Sequence, residues 1–173
     1  INLEDFKAPE CFAIEERLKE LLDIPVMHDD QHGTAIAVLA ALMNAAKVVK
    51  KKFETLKIVI SGAGAAGTAI AKLLVKAGAG DIVILDSKGI IDHTRTEPHK
   101  QELARLTNPR KVTGGLAEAL SGADAFIGVS GPGLMTAKDV ALMGKDAIVF
   151  AMANPIPEIL PEEALKGGAK VVG

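Results

Sequence analysis

Three glycines, Gly62, Gly64 and Gly67, stand at G-x-G-x-x-G spacing directly after the apolar run Ile58-Val59-Ile60. Each suits a different role. The first permits a tight turn, the second lets a pyrophosphate approach the backbone, and the third lets helix and strand pack closely. A helix opening at Ala65 and Ala66 would offer its unpaired N–H groups to phosphate charge. The next apolar run, Asp81 to Leu85, is followed by Asp86, where an acid can hold the hydroxyls of an adenosine ribose. Ser87 and Lys88 follow, and both could donate to a ribose 2′-phosphate instead. Strand, glycine turn, helix, second strand and terminal acid fall in register and point to a bound dinucleotide, with NAD and NADP both open.

A second set of candidates is acidic. Glu4-Asp5 and Asp29-Asp30 form two pairs on either side of a helical stretch. Carboxylates suit hard cations such as Mg²⁺ or Mn²⁺, and three of the four could ligate one ion while leaving positions for substrate. Neighbours in a regular strand point to opposite faces, so a shared ion at Glu4 and Asp5 requires irregular backbone or a strand end. From spacing alone, solvated surface acids are the favoured reading. His28 and His32 have the i, i+4 spacing of a zinc pair on a helix, but Pro25 and Gly33 argue for a loop there, and structural roles are favoured. Ser130 and Asn154 each follow an apolar run; by type they are loop residues, by position neighbours of a ligand. Cys11, the single cysteine, reads as packing.

These residues need a scaffold that gathers them, and the pattern provides one. Helical periodicity covers residues 10–22, with Phe12, Ile14, Leu18, Leu21 and Leu22 on one face and Glu15 largely opposite. A long helix is expected over residues 34–52, apolar on most sides and so mostly buried, with Lys47, Lys50, Lys51 and Lys52 at its negative end. Helices over 65–77, 100–106, 116–120, from Thr136 to Met143 and after Pro161 alternate with strands over 58–60, 81–85, 123–129, 147–152 and 169–172. Such alternation gives an α/β fold with a doubly wound parallel sheet of the Rossmann type. Its carboxyl edge, where ligands sit, would gather the glycine turn, Asp86, Ser130 and Asn154.

The 173 residues, 49% hydrophobic, suffice for one domain with a sizeable core. Net charge is −2 with the signs interspersed, so no basic stripe suggests nucleic acid. No run is long and apolar enough to suggest a membrane span. A lone cysteine excludes an internal disulfide and is compatible with a reducing, cytoplasmic setting. The first residue is Ile1 and the chain reads as part of a longer one.

Taken together, Glu4-Asp5-Phe6, His28-Asp29-Asp30-Gln31-His32-Gly33-Thr34, Gly62-Ala63-Gly64-Ala65-Ala66-Gly67, Asp86-Ser87-Lys88-Gly89, Gly128-Val129-Ser130 and Ala153-Asn154-Pro155 resemble the malic enzymes of bacteria and archaea. The resemblance spans essentially the whole chain. It implies oxidative decarboxylation of malate to pyruvate and CO₂, with NAD or NADP reduced and Mg²⁺ or Mn²⁺ as the metal. It also implies roles: Glu4, Asp5 and Asp30 as metal ligands, Asp29 beside the metal as a group acting on catalysis, and Asn154 on a substrate carboxylate. Gly62, Gly64, Ala65, Ala66, Gly67, Asp86, Ser87, Lys88 and Ser130 would line the cofactor. By the same resemblance residues 1–33 form the metal-site segment and inter-domain connection, residues 34–173 form the dinucleotide-binding domain, and the full-length protein is a homodimer or higher homo-oligomer. The family's acid is a Tyr and its base a Lys, both upstream of the Glu-Asp pair; this chain has no Tyr. The expectation is that these residues alone bind dinucleotide and turn over malate poorly or not at all. Two other readings stand beside it: the cofactor domain of an amino-acid dehydrogenase, which needs no carboxylate metal ligands, and a non-enzymatic dinucleotide-sensing module.

Overall fold

A computed structural model describes all 173 residues. Its centre is a six-stranded sheet made of β3 (Lys57–Ser61), β4 (Asp81–Asp86), β5 (Gly89–Ile90), β6 (Ala125–Gly128), β7 (Ala147–Ala151) and β8 (Ala169–Val172), in the order β5-β4-β3-β6-β7-β8. All neighbours are parallel except β4 and β5. The doubly wound sheet is therefore as expected. The short β5 was not foreseen: two residues, Gly89 and Ile90, fold back on Leu85 and Asp86 and close one edge.

Both faces of the sheet are apolar, as parallel strands covered on both sides require. Ile58, Ile60, Ile82, Ile84, Ile127 and Ile148 point to one face, where α2 (Thr34–Val48), α3 (Ala65–Lys76) and α4 (Pro98–Leu106) cover them with Val38, Leu42, Ile70, Leu74 and Leu103. Val59, Val83, Leu85, Phe126 and Val149 point to the other, beneath α5 (Leu116–Leu120), α6 (Ala137–Val140) and α7 (Pro161–Lys166). Successive residues of one strand serve opposite cores, which is the period of two that a pleated strand imposes.

Ahead of this domain, β1 (Asn2–Leu3) pairs in parallel with β2 (Met27–His28), and α1 (Glu10–Leu21) runs between them. Three expectations change here. On α1 the residues most buried are Cys11 and Glu15, while Phe12, Ile14 and Leu18 are half-buried and Leu21 is 59% exposed, so the packed face takes in an acid that the sequence placed largely opposite it. Residues Asp29–Gly33 are not a loop but a single wide helical turn that runs straight into α2, with the Thr34 N–H donating to the Asp29 carbonyl. Gly33 keeps helical angles there, and a Cβ on it would stand 2.4 Å from Asp29 Oδ1. Finally, α2 ends at Val48, because Lys50 adopts a left-handed φ of 56°. Its buried residues Ala35, Val38, Leu42, Ala45 and Ala46 form one face, while Ile36, Met43 and Val48 stay exposed. Lys51 reaches forward to Asp124 at 2.6 Å, tying the end of this segment to the start of β6.

Candidate functional site

The glycine turn follows from backbone geometry. Gly62 sits at φ +116°, and a Cβ there would meet the Val129 carbonyl oxygen at 2.5 Å. At Gly67 a Cβ would fall 1.7 Å from the Gly62 carbonyl oxygen, so only glycine lets α3 leave β3 so tightly. Gly64 differs, for a Cβ added there meets nothing within 4 Å. Nothing in the protein demands a glycine at Gly64; open space over that backbone is what a closely approaching pyrophosphate uses. Gly64 is the residue before the first turn of α3, so Ala65, Ala66 and Gly67 carry the free N–H groups of the helix start.

A cleft of about 650 Å³ opens along this edge, from Asp86 and Ser87 past Gly62 and Gly64 to Ser130 and Pro132. A second, of about 340 Å³, begins at the same Ser130–Pro132 rim and runs to Ala66, Asn154 and Asp30. The two share an edge. Together they align the acid at the end of β4, the glycine turn, the β6 loop and the segment that carries Asp30 and Thr34 along one side of the sheet. A third cleft, between α1, α3 and α4, touches none of the glycine turn, Asp86, Ser130 or Asn154.

At the Asp86 end the carboxylate is heavily engaged. Arg95 donates to both oxygens, at 3.1 and 2.7 Å, Lys100 donates to Oδ2, and the Lys88 backbone N–H donates to Oδ1 at 2.8 Å. Burial by itself would raise the Asp86 pKa, but the Arg95 and Lys100 donors outweigh it and hold the carboxyl well below its ordinary value. The Lys88 side chain is 71% exposed and its ammonium stands 3.4 Å from Glu97. Arg95 and Lys100 were not singled out in the sequence; they come from the polar segment after β5 and from α4, with no motif to flag them.

At the middle of the edge a residue also missed is Glu158, completely buried behind Ser130. Its Oε1 accepts the Ser130 N–H at 2.8 Å and hydroxyl at 3.2 Å, and its Oε2 accepts the Ala153 N–H at 3.1 Å. Gly128 makes room for it, since a Cβ there would lie 2.4 Å from the Glu158 carboxyl carbon. One carboxylate thus joins the loops after β6 and β7, which carry Ser130 and Asn154. Asn154 itself is exposed and precedes a cis peptide to Pro155.

At the acidic end β1 stops at Leu3, and Asp5 takes a left-handed φ of 61°, the irregular backbone that a shared ion at Glu4 and Asp5 requires. Asp30 Oδ2 accepts the Asp5 N–H at 2.9 Å, so the fold joins the two acidic segments across 25 residues. Glu4 and Asp5 are exposed, and Asp30 lines the second cleft. The oxygen donors fit Mg²⁺ or Mn²⁺ by type. No three His, Cys, Asp or Glu side chains stand grouped at ligating separation. Asp29 turns back over Gly33.

Behind Asp30 lies a buried polar chain. The Gln31 amide donates to His28 Nδ1 at 2.8 Å and to Glu15 Oε2 at 3.3 Å. An accepting Nδ1 puts the His28 hydrogen on Nε2, which stands 2.9 Å from Asp30 Oδ2, off the line of a good hydrogen bond. Glu15 also takes Lys19 and His32 at 2.7 Å each. Burial raises its pKa, but the Lys19 hydrogen bond and the nearby His32 outweigh that and leave it lowered. His28 is bonded by the Gln31 amide and His32 bonds the Glu15 carboxylate, so the two do not converge as a zinc pair. Cys11 is fully buried, and burial pushes its thiol pKa up, in keeping with packing.

Residues 31–168 match the family model described as the malic enzyme NAD-binding domain. The chain belongs to the malic enzyme family. It is 57% identical over 166 residues to the NAD-dependent malic enzyme of Geobacillus stearothermophilus, covering 95% of this chain and 35% of that protein. It is 53% identical over 176 residues to the bifunctional malic/malolactic enzyme of Bacillus subtilis, covering 100% of this chain and 43% of that one. The crystal structure of the NAD-dependent malic enzyme from Thermotoga maritima superposes with a TM-score of 0.97 at 46% identity, over 100% of this chain and 47% of that one. The chain thus spans under half the length of these relatives. Other malic enzymes at comparable identity, such as that of Rhizobium meliloti at 50%, are described as NADP-dependent. A glutamate dehydrogenase from Thermus thermophilus, at 19% identity and a TM-score of 0.54, shares the fold alone.

Proposed function

We propose that this chain is the cofactor-binding part of an enzyme that oxidises malate with NAD or NADP and decarboxylates the product to pyruvate. The observation that carries the reading is the pair of clefts meeting at Ser130. One runs along the glycine turn to Asp86, the other reaches Asn154 and Asp30. In this reading the pyrophosphate rests over Gly64 on the start of α3, the adenosine lies towards Asp86, and the nicotinamide extends towards Ser130. Asn154 donates its amide to a malate carboxylate. Asp29 acts beside the acidic cluster, and Glu4, Asp5 and Asp30 hold Mg²⁺ or Mn²⁺, which would act as a Lewis acid on the carbonyl formed by oxidation. Residues 1–33 serve as the metal-site segment and residues 34–173 as the dinucleotide domain. The family's tyrosine acid has no counterpart here, because the sequence contains no Tyr. Turnover is accordingly proposed for a protein that joins these residues to that acid and its lysine base. Apolar side chains that α2 leaves exposed, Ile36, Met43 and Val48, suit self-association of that protein.

The test is malate-dependent reduction of NAD(P)⁺ by the longer protein, with and without a chelator, in wild type and Asp30→Asn. Activity that survives both metal removal and the substitution would rule the metal reading out and return the chain to a generic dehydrogenase cofactor domain.

A further inference from the structure

An acid at the end of the second strand of a dinucleotide fold normally selects a free ribose: it accepts from the hydroxyls and repels a 2′-phosphate. That selection needs vacant lone pairs and uncancelled negative charge, and Asp86 has neither. A carboxylate offers roughly four lone-pair sites. Here the Lys88 N–H and Arg95 Nη1 occupy Oδ1, while Arg95 Nη2 and Lys100 Nζ occupy Oδ2. The charge is also overbalanced. Asp86 and Glu97 face Arg95, Lys100 and Lys88, two anions against three cations within one contact network. The Arg95 and Lys100 side chains are only 10% and 15% exposed, so solvent screens their charges from Asp86 less than it would at the open surface. Lys88, by contrast, is exposed and follows directly on Ser87, which lines the cleft.

We propose that Arg95 and Lys100 cancel the charge of Asp86, so that the adenosine end of the cleft accepts a 2′-phosphorylated dinucleotide as well as one with a free 2′-hydroxyl. The proposal rests on the dinucleotide reading and adds to it two specificity-determining residues, one from the segment after β5 and one from α4, neither of which carries a cofactor motif. Asp86 then acts as an internal counter-anion fixing the two cations beside the ribose, and the phosphate is met by Lys88 and the net positive charge.

The test measures dissociation constants for NAD, NADP, 5′-AMP and 2′,5′-ADP on wild type, Lys100→Met, Lys100→Arg and Asp86→Asn. Wild type should bind NAD and NADP within about tenfold of each other, a difference of roughly 1.4 kcal/mol or less. Lys100→Met keeps the aliphatic stem but unmasks Asp86. It should weaken NADP and 2′,5′-ADP about tenfold or more relative to NAD and 5′-AMP, and Lys100→Arg should restore the ratio. Asp86→Asn should move the ratio the other way. Wild type that binds NAD and 5′-AMP but rejects both 2′-phosphorylated ligands overturns the proposal and leaves the dinucleotide reading standing. So does a Lys100→Met variant that loses all four ligands equally. If no nucleotide binds, the dinucleotide reading falls and the proposal with it.

Discussion

Replacing Glu158 by Gln changes one atom and should uncouple the two loops that carry Ser130 and Asn154. Glu158 is wholly buried and accepts three hydrogen bonds, from the Ser130 N–H and hydroxyl on one oxygen and from the Ala153 N–H on the other. A glutamine has a single carbonyl oxygen. If it serves Ser130, the amide NH₂ faces the Ala153 N–H; if it serves Ala153, the NH₂ faces Ser130. Either way a buried backbone donor loses its acceptor, and the bonds that remain lose the help of the charge. A hydrogen bond to a charged group contributes about 1.5–3 kcal/mol. Glu158→Gln should therefore cost about 2 kcal/mol, which for a chain of this size lowers Tm by roughly 4–8 °C. The chain has no Trp or Tyr, so calorimetry or far-UV circular dichroism is the readout, with dinucleotide affinity measured alongside. Gly128→Ala pushes a methyl to 2.4 Å from the same carboxyl carbon and should give the same phenotype. Because both changes break one interaction, their double mutant should be less destabilised than the sum. A Glu158→Gln protein that melts within about a degree of wild type and binds dinucleotide as tightly would refute the bridging role.

Other consequences follow from single features of the site. Gly64→Ala should leave stability unchanged or raised by up to about 1 kcal/mol, because its Cβ meets nothing and its φ is −89°. The same change should weaken dinucleotide binding severalfold, and an unaffected dissociation constant would mean that no pyrophosphate passes over Gly64. Asp86 has a lowered pKa in the folded chain, so its contribution is present above its ordinary value of 3.8 and fades as pH falls through the folded value. Wild type should lose stability on acidification below about pH 4 more steeply than Asp86→Asn; parallel acid limbs in urea titrations would contradict this. Gln31→Met leaves His28 Nδ1 and Glu15 Oε2 without their shared donor. A loss of about 1–3 kcal/mol in denaturant unfolding is expected, together with weaker Mn²⁺ binding followed by electron paramagnetic resonance. Unchanged metal affinity would detach this chain of bonds from the acidic cluster.

The fold was legible because its signals are local. β-branched runs such as Ile58-Val59-Ile60 suit a strand covered on both faces, and the glycine spacing fixes how β3 passes into α3. Errors arose where the deciding partner was distant. Nothing local marks Glu15 as buried; it is buried because Gln31 and His32, 16 and 17 residues on, bring it donors. The packed face of α1 therefore includes one buried acid among its apolar side chains. Residues 29–33 read as a loop because Pro25 and Gly33 bracket them, yet Gly33 holds helical angles and the turn continues into α2. Glu158 follows Pro155 and Pro157 with no motif to mark it, and its three donors come together only when the loops after β6 and β7 lie side by side.

The same difference between local and distant signals orders the site itself. Each candidate was found as a residue type at the end of an element, and its working state depends on a partner far along the chain. Asp86 is the clearest case. Alone, at the end of β4, it means preference for a free ribose; with Arg95 and Lys100 on it, its charge is cancelled. Asp30 is similar, since one of its oxygens is taken up by the Asp5 N–H and approached by His28. Coordination of an ion would have to compete with those contacts or use the other oxygen. The acids that announce chemistry in this sequence are thus restrained by neighbours that do not, and the neighbours are where substitutions should alter selectivity without removing the site.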